Sequence, residues 1–150
     1  MFYKFRYESE SYPALDRVPL HVRMKLDVLG VKLSLKDWLA FSLEERTAVC
    51  HLPANHDNEK QAFKDYVNFL CLRYCGAPAQ TVTPLEPSLW EAPHEVPAAV
   101  TAKSNGCGST IALREWLGWA SYERYALYKT ALSTSEPEKF FAVLDELRQR

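Results

Sequence analysis

The chain has 150 residues, of which 47% are hydrophobic, 25% charged and 13% aromatic. That is the composition of one globular domain, long enough to bury about 69% of its unfolded surface without disulfides or metals, and it excludes a disordered or coiled-coil chain. Lysine and arginine number 18 and the acids 19, for a net charge of −1, divided 11 to 10 in residues 1–75 and 7 to 9 in residues 76–150. Neither half carries the positive surface that follows a phosphate backbone, so nucleic acid is excluded as a partner.

The first residues, MFYKFRYESESYP, alternate aromatic and charged side chains and lack the apolar stretch and cleavage site of a signal peptide. The longest apolar run is five residues, Phe140 to Leu144, against the roughly 20 that cross a bilayer. With no leader or span, the expected location is the cytoplasm, and Cys50, Cys71, Cys75 and Cys107 read as free thiols.

Leu20, Val22, Met24, Leu26 and Val28 alternate with polar residues, which in isolation reads as a half-buried strand. An internal repeat argues otherwise. At an offset of 78, residues 12–49 align with 90–127 without a gap, and 12 of the 38 positions are identical, among them Val18/Val96, Pro19/Pro97, Lys25/Lys103, Gly30/Gly108, Trp38/Trp116, Glu45/Glu123 and Arg46/Arg124. Chance supplies about two. The second copy of the alternating stretch, Ala98 to Lys103, is alanine-rich and does not alternate. Both copies open on Val-Pro, with proline expected at the first helical position, and both close on a glycine, so both are predicted to be helices.

A short helix follows, carrying Trp38 and Phe41, or Trp116 and Trp119, on one face. Ser34 with Asp37 and Ser42 with Glu45 fit the capping-box template, the second opening a helix over 43–52 that stops before Pro53; its counterpart spans about 122–133. The next helix starts near Asp57 or Asn58, buries a stripe of Phe63, Tyr66, Val67, Leu70, Cys71 and Tyr74, and closes at Gly76. Five of the nine prolines lie between Pro78 and Pro97, predicting an extended stretch. A last helix opens at Ser135-Glu-Pro137 and buries Phe140, Phe141, Leu144 and Leu147. The expected fold is all-α: a single domain over 1–150 of about eight short helices in two pseudo-repeated halves, about 12–75 and 90–150, joined by a proline-rich linker over 76–89.

Chemistry is sparse. Cys71 and Cys75 share a helix face, but Cys50, His51, His56 and Cys107 show no ligand spacing that completes a zinc site, so no metal or cofactor is expected. His21, His51, His56 and His94 do not recur between copies and belong to no nucleophile–base motif. Cys50 and His51 are helix neighbours that point about 100° apart. Phosphate-cradling and nucleophile-elbow motifs are absent. The helix beginning Leu43-Glu-Glu places two acids where a DNA reader would face phosphate. Trp38, Trp116 and Trp119, aromatic at matching positions of the two copies, and Glu45-Arg46 and Glu123-Arg124, kept in both, read as serving the fold. Charged positions that differ between the copies are the better functional candidates: Arg23 against Thr101, and Asp27 against Asn105. Arg23 and Asp27 are accordingly the expected partner-binding residues.

The run Val22-Arg-Met-Lys-Leu-Asp-Val-Leu-Gly-Val-Lys-Leu-Ser-Leu-Lys-Asp-Trp-Leu-Ala-Phe-Ser-Leu-Glu-Glu-Arg46, with the later Leu113-Arg-Glu-Trp-Leu-Gly-Trp-Ala-Ser-Tyr-Glu-Arg-Tyr-Ala-Leu127, resembles the signature of the nitrate reductase-associated protein family. The similarity extends roughly from Phe5 to Leu147, with Met24 where an aromatic residue is expected. The resemblance implies a small soluble accessory protein of nitrate assimilation in cyanobacteria and other bacteria. It would support the molybdenum-dependent assimilatory nitrate reductase without being its catalytic subunit. Implied partners are nitrate reductase or a molybdenum-cofactor maturation protein, and the resemblance brings no catalytic residues.

Two function classes follow. One is a non-enzymatic factor that binds such a partner through a helical surface; a self-complementary patch would instead make a homodimer. The other is a small-molecule or cofactor-binding protein, or an enzyme, using a cleft between the halves.

Overall fold

In a computed structural model, which describes residues 2–150, the chain is mostly helical and separates into two compact units. Unit 1 holds the residues up to Lys4 together with Glu8–Leu85; unit 2 holds Phe5–Tyr7 together with Glu86–Arg150. A short 3-10 turn over Arg6–Glu8 lies where the chain leaves one unit for the other.

Unit 1 begins with α1, Leu20–Leu29. Pro19 is its N-cap rather than its first helical residue: its carbonyl accepts the Arg23 N–H at 2.9 Å, and the Leu20 N–H donates to the Glu8 carboxylate at 3.1 Å. The alternating pattern is therefore helical. Leu20, Val22 and Leu26 face the core while Met24 and Val28 are half-buried. Gly30 closes α1 with φ 71°, and a Cβ there would stand 2.5 Å from the Val82 carbonyl oxygen, so only glycine fits. Val31–Lys32 (β1) pairs antiparallel with Gln80–Thr81 (β2), Val31 opposite Thr81.

Helix α2, Leu35–Ala40, is capped by Ser34, whose hydroxyl accepts the Asp37 N–H at 3.1 Å. Helix α3, Leu43–His51, starts with a full capping box: the Ser42 hydroxyl accepts the Glu45 N–H at 3.1 Å, and the Glu45 carboxylate accepts the Ser42 N–H at 2.8 Å. Helix α4, Asp57–Cys75, ends at Gly76 with φ 78°. It buries Phe63, Val67, Leu70 and Cys71, while Tyr66 stays half-buried and Tyr74 exposed. These side chains meet Val22, Leu26, Trp38, Phe41, Val49 and Cys50 in one core.

Unit 2 opens with α5, Ser88–Glu91, inside the proline-rich stretch expected to be extended. Pro87 at its N-cap is compatible with helix because its missing N–H is not needed there, and Trp90 is fully buried. This raises the count to nine α-helices among the described residues. Then follow α6, Ala98–Asn105, α7, Leu113–Leu117, α8, Ser121–Ala131, and α9, Glu138–Arg148. Gly108 has φ 70° as expected, two residues beyond the cap at Gly106, and the Ser109 N–H closes on the Ser104 carbonyl at 2.9 Å. Helix α9 buries Phe140, Val143, Leu144, Glu146 and Leu147. Phe141, expected in that core, is half-buried under the Lys103 ammonium, 6.0 Å from its ring centre. Leu20 and Ala98, Leu35 and Leu113, and Leu43 and Ser121 each open a helix and stand 78 positions apart.

Candidate functional site

Helix α1 carries both expected partner-binding residues. Arg23 and Asp27 are four residues apart on one side of the helix, Arg23 exposed and Asp27 half-buried. The Asp27 carbonyl accepts the Leu85 N–H at 2.9 Å and the Gly30 N–H at 3.3 Å. The backbone at this end of the site is therefore braced by the segment following β2. Such bracing keeps the two charged positions at a fixed spacing.

The opposite side of α1 holds a polar group that the sequence does not reveal. His21 and Lys25, 8% and 7% exposed, point inward beside Leu20, Val22 and Leu26. Lys25 Nζ donates to the Cys50 carbonyl at 2.8 Å and to the Leu52 carbonyl at 2.6 Å, and lies 5.7 Å from the Phe63 ring centre. The last carbonyls of a helix lack intrahelical partners and carry its negative end, so a cation there completes the helix. Lys25 is the C-terminal cap of α3. Burial pushes its ammonium down to about 8.

Burial, and then the Lys25 charge, push His21 down to about 3. Its ring is neutral near pH 7, and its Nδ1 accepts the Tyr3 N–H at 3.1 Å. The Phe2 ring stacks on it with centres 6.5 Å apart and planes at 12°. The Cys50 thiol is pushed up to about 12, chiefly by burial, and that of Cys71 to about 11 for the same reason. A histidine, a lysine and a cysteine thus converge with the composition of a nucleophile–base set but with the opposite chemistry. The thiol keeps its proton, and the lysine is occupied by two carbonyls. What the cluster does is tie α1, the end of α3 and residues 2–3 together. The recurrence of lysine at positions 25 and 103 was the available signal, since Lys103 covers Phe141 as Lys25 covers Phe63.

The remaining candidates are dispersed. Trp38 and Trp116 are fully buried, placing them in the cores of their units, and Trp119 is half-buried. Glu45 caps α3, and Glu123 accepts the Ala120 N–H at 2.8 Å to cap α8 in the same way. Cys71 is buried and Cys75 exposed, and among the described residues no three His, Cys, Asp or Glu side chains are grouped to hold a metal. His51 meets Phe2 edge to face at 5.6 Å, while His56 and His94 are exposed. In unit 2 an open depression of about 290 Å³ is lined by Arg6, Tyr7, Ala142, Asp145, Glu146 and Gln149. Its Glu146 is already engaged, accepting the Tyr7 N–H at 3.2 Å and pairing with Arg150 at 2.8 Å. Among the described residues no helix is long and apolar enough to cross a membrane.

Residues 4–147 match the family model described as conserved nitrate reductase-associated protein. The chain belongs to this family. The match takes in both units, from residue 4, just before the 3-10 turn, to residue 147 in α9. The family's description is of a protein associated with nitrate reductase, not of a reductase. No curated protein and no solved structure matches the chain.

Proposed function

We propose that this nitrate reductase-associated protein is a non-enzymatic cytoplasmic accessory factor. It binds nitrate reductase, or a protein that matures its molybdenum cofactor, through the α1 surface marked by Arg23 and Asp27. The observation that carries the reading is the family match over residues 4–147. Two features of unit 1 support it. His21 and Lys25 are committed to holding α1, the end of α3 and the N-terminal residues, and burial keeps the Cys50 thiol protonated. Leu35, Leu39 and Leu43, also in unit 1, are 46%, 46% and 45% exposed and offer the apolar contact that a protein interface desolvates.

The test is an affinity pull-down from nitrate-grown cells of the source organism, read by mass spectrometry. Nitrate reductase or a molybdenum-cofactor protein is expected with the native bait and is lost with the double substitution Arg23→Ala, Asp27→Ala. Capture that survives the substitution refutes α1 as the surface. A prey list without either protein, from intact bait, refutes the partner.

A further inference from the structure

In unit 1 one carbonyl oxygen, that of Leu15, is held by two side-chain donors. Trp38 Nε1 reaches it at 2.7 Å and Arg46 Nη1 at 3.0 Å, and the same Nη1 reaches the Ala14 carbonyl at 3.1 Å. Leu15 has φ 47°, unlike any other non-glycine among the described residues. That conformation is unfavourable for a branched side chain. It persists here because the leucine is buried in the core, 4% exposed, while its carbonyl turns to the two donors.

The same donors recur 78 positions later, as Trp116 and Arg124, on a matching scaffold. Leu113 and Ser121 open α7 and α8 as Leu35 and Leu43 open α2 and α3. Ring centres are 6.2 Å apart for Trp38 and Phe41 and also for Trp116 and Trp119. The capping carboxylates of Glu45 and Glu123 each accept the N–H three residues earlier at 2.8 Å. The acceptor, however, is changed. Ala14-Leu15 correspond to Ala92-Pro93, and the proline ring holds φ near −65°, so residue 93 cannot turn its carbonyl as Leu15 does. Pro93 is exposed where Leu15 is buried. As a result Trp116 Nε1, on a fully buried ring, has no acceptor, and neither does the buried Arg124 Nε. Arg46 Nε is unpartnered too, so the units differ at the indole and at the outer guanidinium nitrogen. Unit 2 thus presents an N–H and a half-buried cation on the frame that in unit 1 converges on a single oxygen.

We propose that Trp116 Nε1 and the Arg124 guanidinium form a binding site for a carboxylate. A carboxylate carries the opposite charge and has acceptor capacity for both donors. In unit 1 the neutral Leu15 carbonyl serves both donors, and a carboxylate makes the stronger, charge-assisted bond to the same pair of groups. Trp90 meets Tyr125 edge to face at 5.1 Å, and the residues that follow, Ala92–Glu95, are half-buried or exposed throughout. Arg124 is half-buried, while the Trp116 Nε1 atom itself is buried. The site is separate from the α1 surface, and its test is independent of the pull-down.

The experiment is an NMR titration of the intact protein with acetate, following the four indole N–H resonances. The Trp116 indole is expected to move downfield saturably while that of Trp38, already bonded, stays in place. Arg124→Gln weakens the response by about tenfold or more, as expected for loss of a hydrogen bond to an ion. Arg124→Lys, which keeps the charge but loses the planar fork, weakens it less. A response equal to that of acetate from the dipeptide acetyl-Ala-Leu marks a small free carboxylate as the ligand, and a much stronger one marks the carboxylate of a chain terminus. The proposal fails if the Trp116 indole does not respond, if acetamide or chloride moves it as acetate does, or if well-folded Arg124→Gln responds like the native protein.

Discussion

Replacing Lys25 by methionine tests the account of α1 through its pH dependence. The substitution keeps most of the side-chain volume and removes the ammonium that caps α3 at Cys50 and Leu52. At pH 7, losing two charged hydrogen bonds is offset in part by no longer burying a charge, and we expect a net loss of about 1–3 kcal/mol. The sign of the pH effect is more discriminating. Burial lowers Lys25 from its ordinary 10.5 to about 8, so between those values the unfolded chain holds a proton that the folded chain has released. Stability contributed by this group therefore rises with pH across that window, by about 2 kcal/mol between pH 7 and 9.5. The methionine variant lacks this gain, and the Cys50 thiol, raised from its ordinary 9.0 to about 12 by burial, lowers stability toward pH 9.5 in both proteins and so drops out of the comparison. Urea denaturation of both proteins at pH 7 and 9.5 measures it. The gap between native and variant should widen at the higher pH. A gap that narrows would show that the two carbonyls hold the ammonium more strongly than burial opposes it, and would refute the reasoning.

His21 gives the acid-side counterpart. With its folded value pushed down to about 3 from an ordinary 6.5, the unfolded chain takes up a proton first as pH falls, and stability drops by about 3 kcal/mol between pH 7 and 4. His21→Gln should flatten that part of the stability profile, measured against the native protein in the same buffers; an unchanged slope would mean that the ring is not buried neutral. The two equivalent tryptophans should respond unequally. Trp38→Phe breaks the indole bond to Leu15 and should cost about 1 kcal/mol more than Trp116→Phe, whose indole N–H has no acceptor to lose. Equal losses in thermal denaturation would contradict the difference between the units on which the carboxylate site rests.

The features legible in the sequence are those decided within a few residues. Ser42 and Glu45 start α3 by bonding each other's N–H groups, and Gly30, Gly76 and Gly108 take the left-handed conformation that other residues resist. The spacing of Phe63, Val67, Leu70 and Cys71 sets the buried face of α4, because helical periodicity is itself local. Misreadings begin where burial depends on another element. Phe141 has the spacing of a core residue yet sits half-buried against Lys103, and Ser88–Glu91 is helical within a proline-rich stretch whose Trp90 packs on α8.

The candidate site divides in the same way. Sequence comparison of the two copies identified Arg23 and Asp27 as differing charges on one helix face, but the closure of the Leu85 N–H on the Asp27 carbonyl joins residues 58 positions apart. Nor does the sequence distinguish Lys25 from a solvated lysine, since its role depends on α3 ending within 3 Å of its ammonium. Trp38-Arg46 and Trp116-Arg124 are identical as text. Only the folded chain separates them, because whether a donor is satisfied depends on where a distant carbonyl is aimed, and Leu15 can aim it while Pro93 cannot.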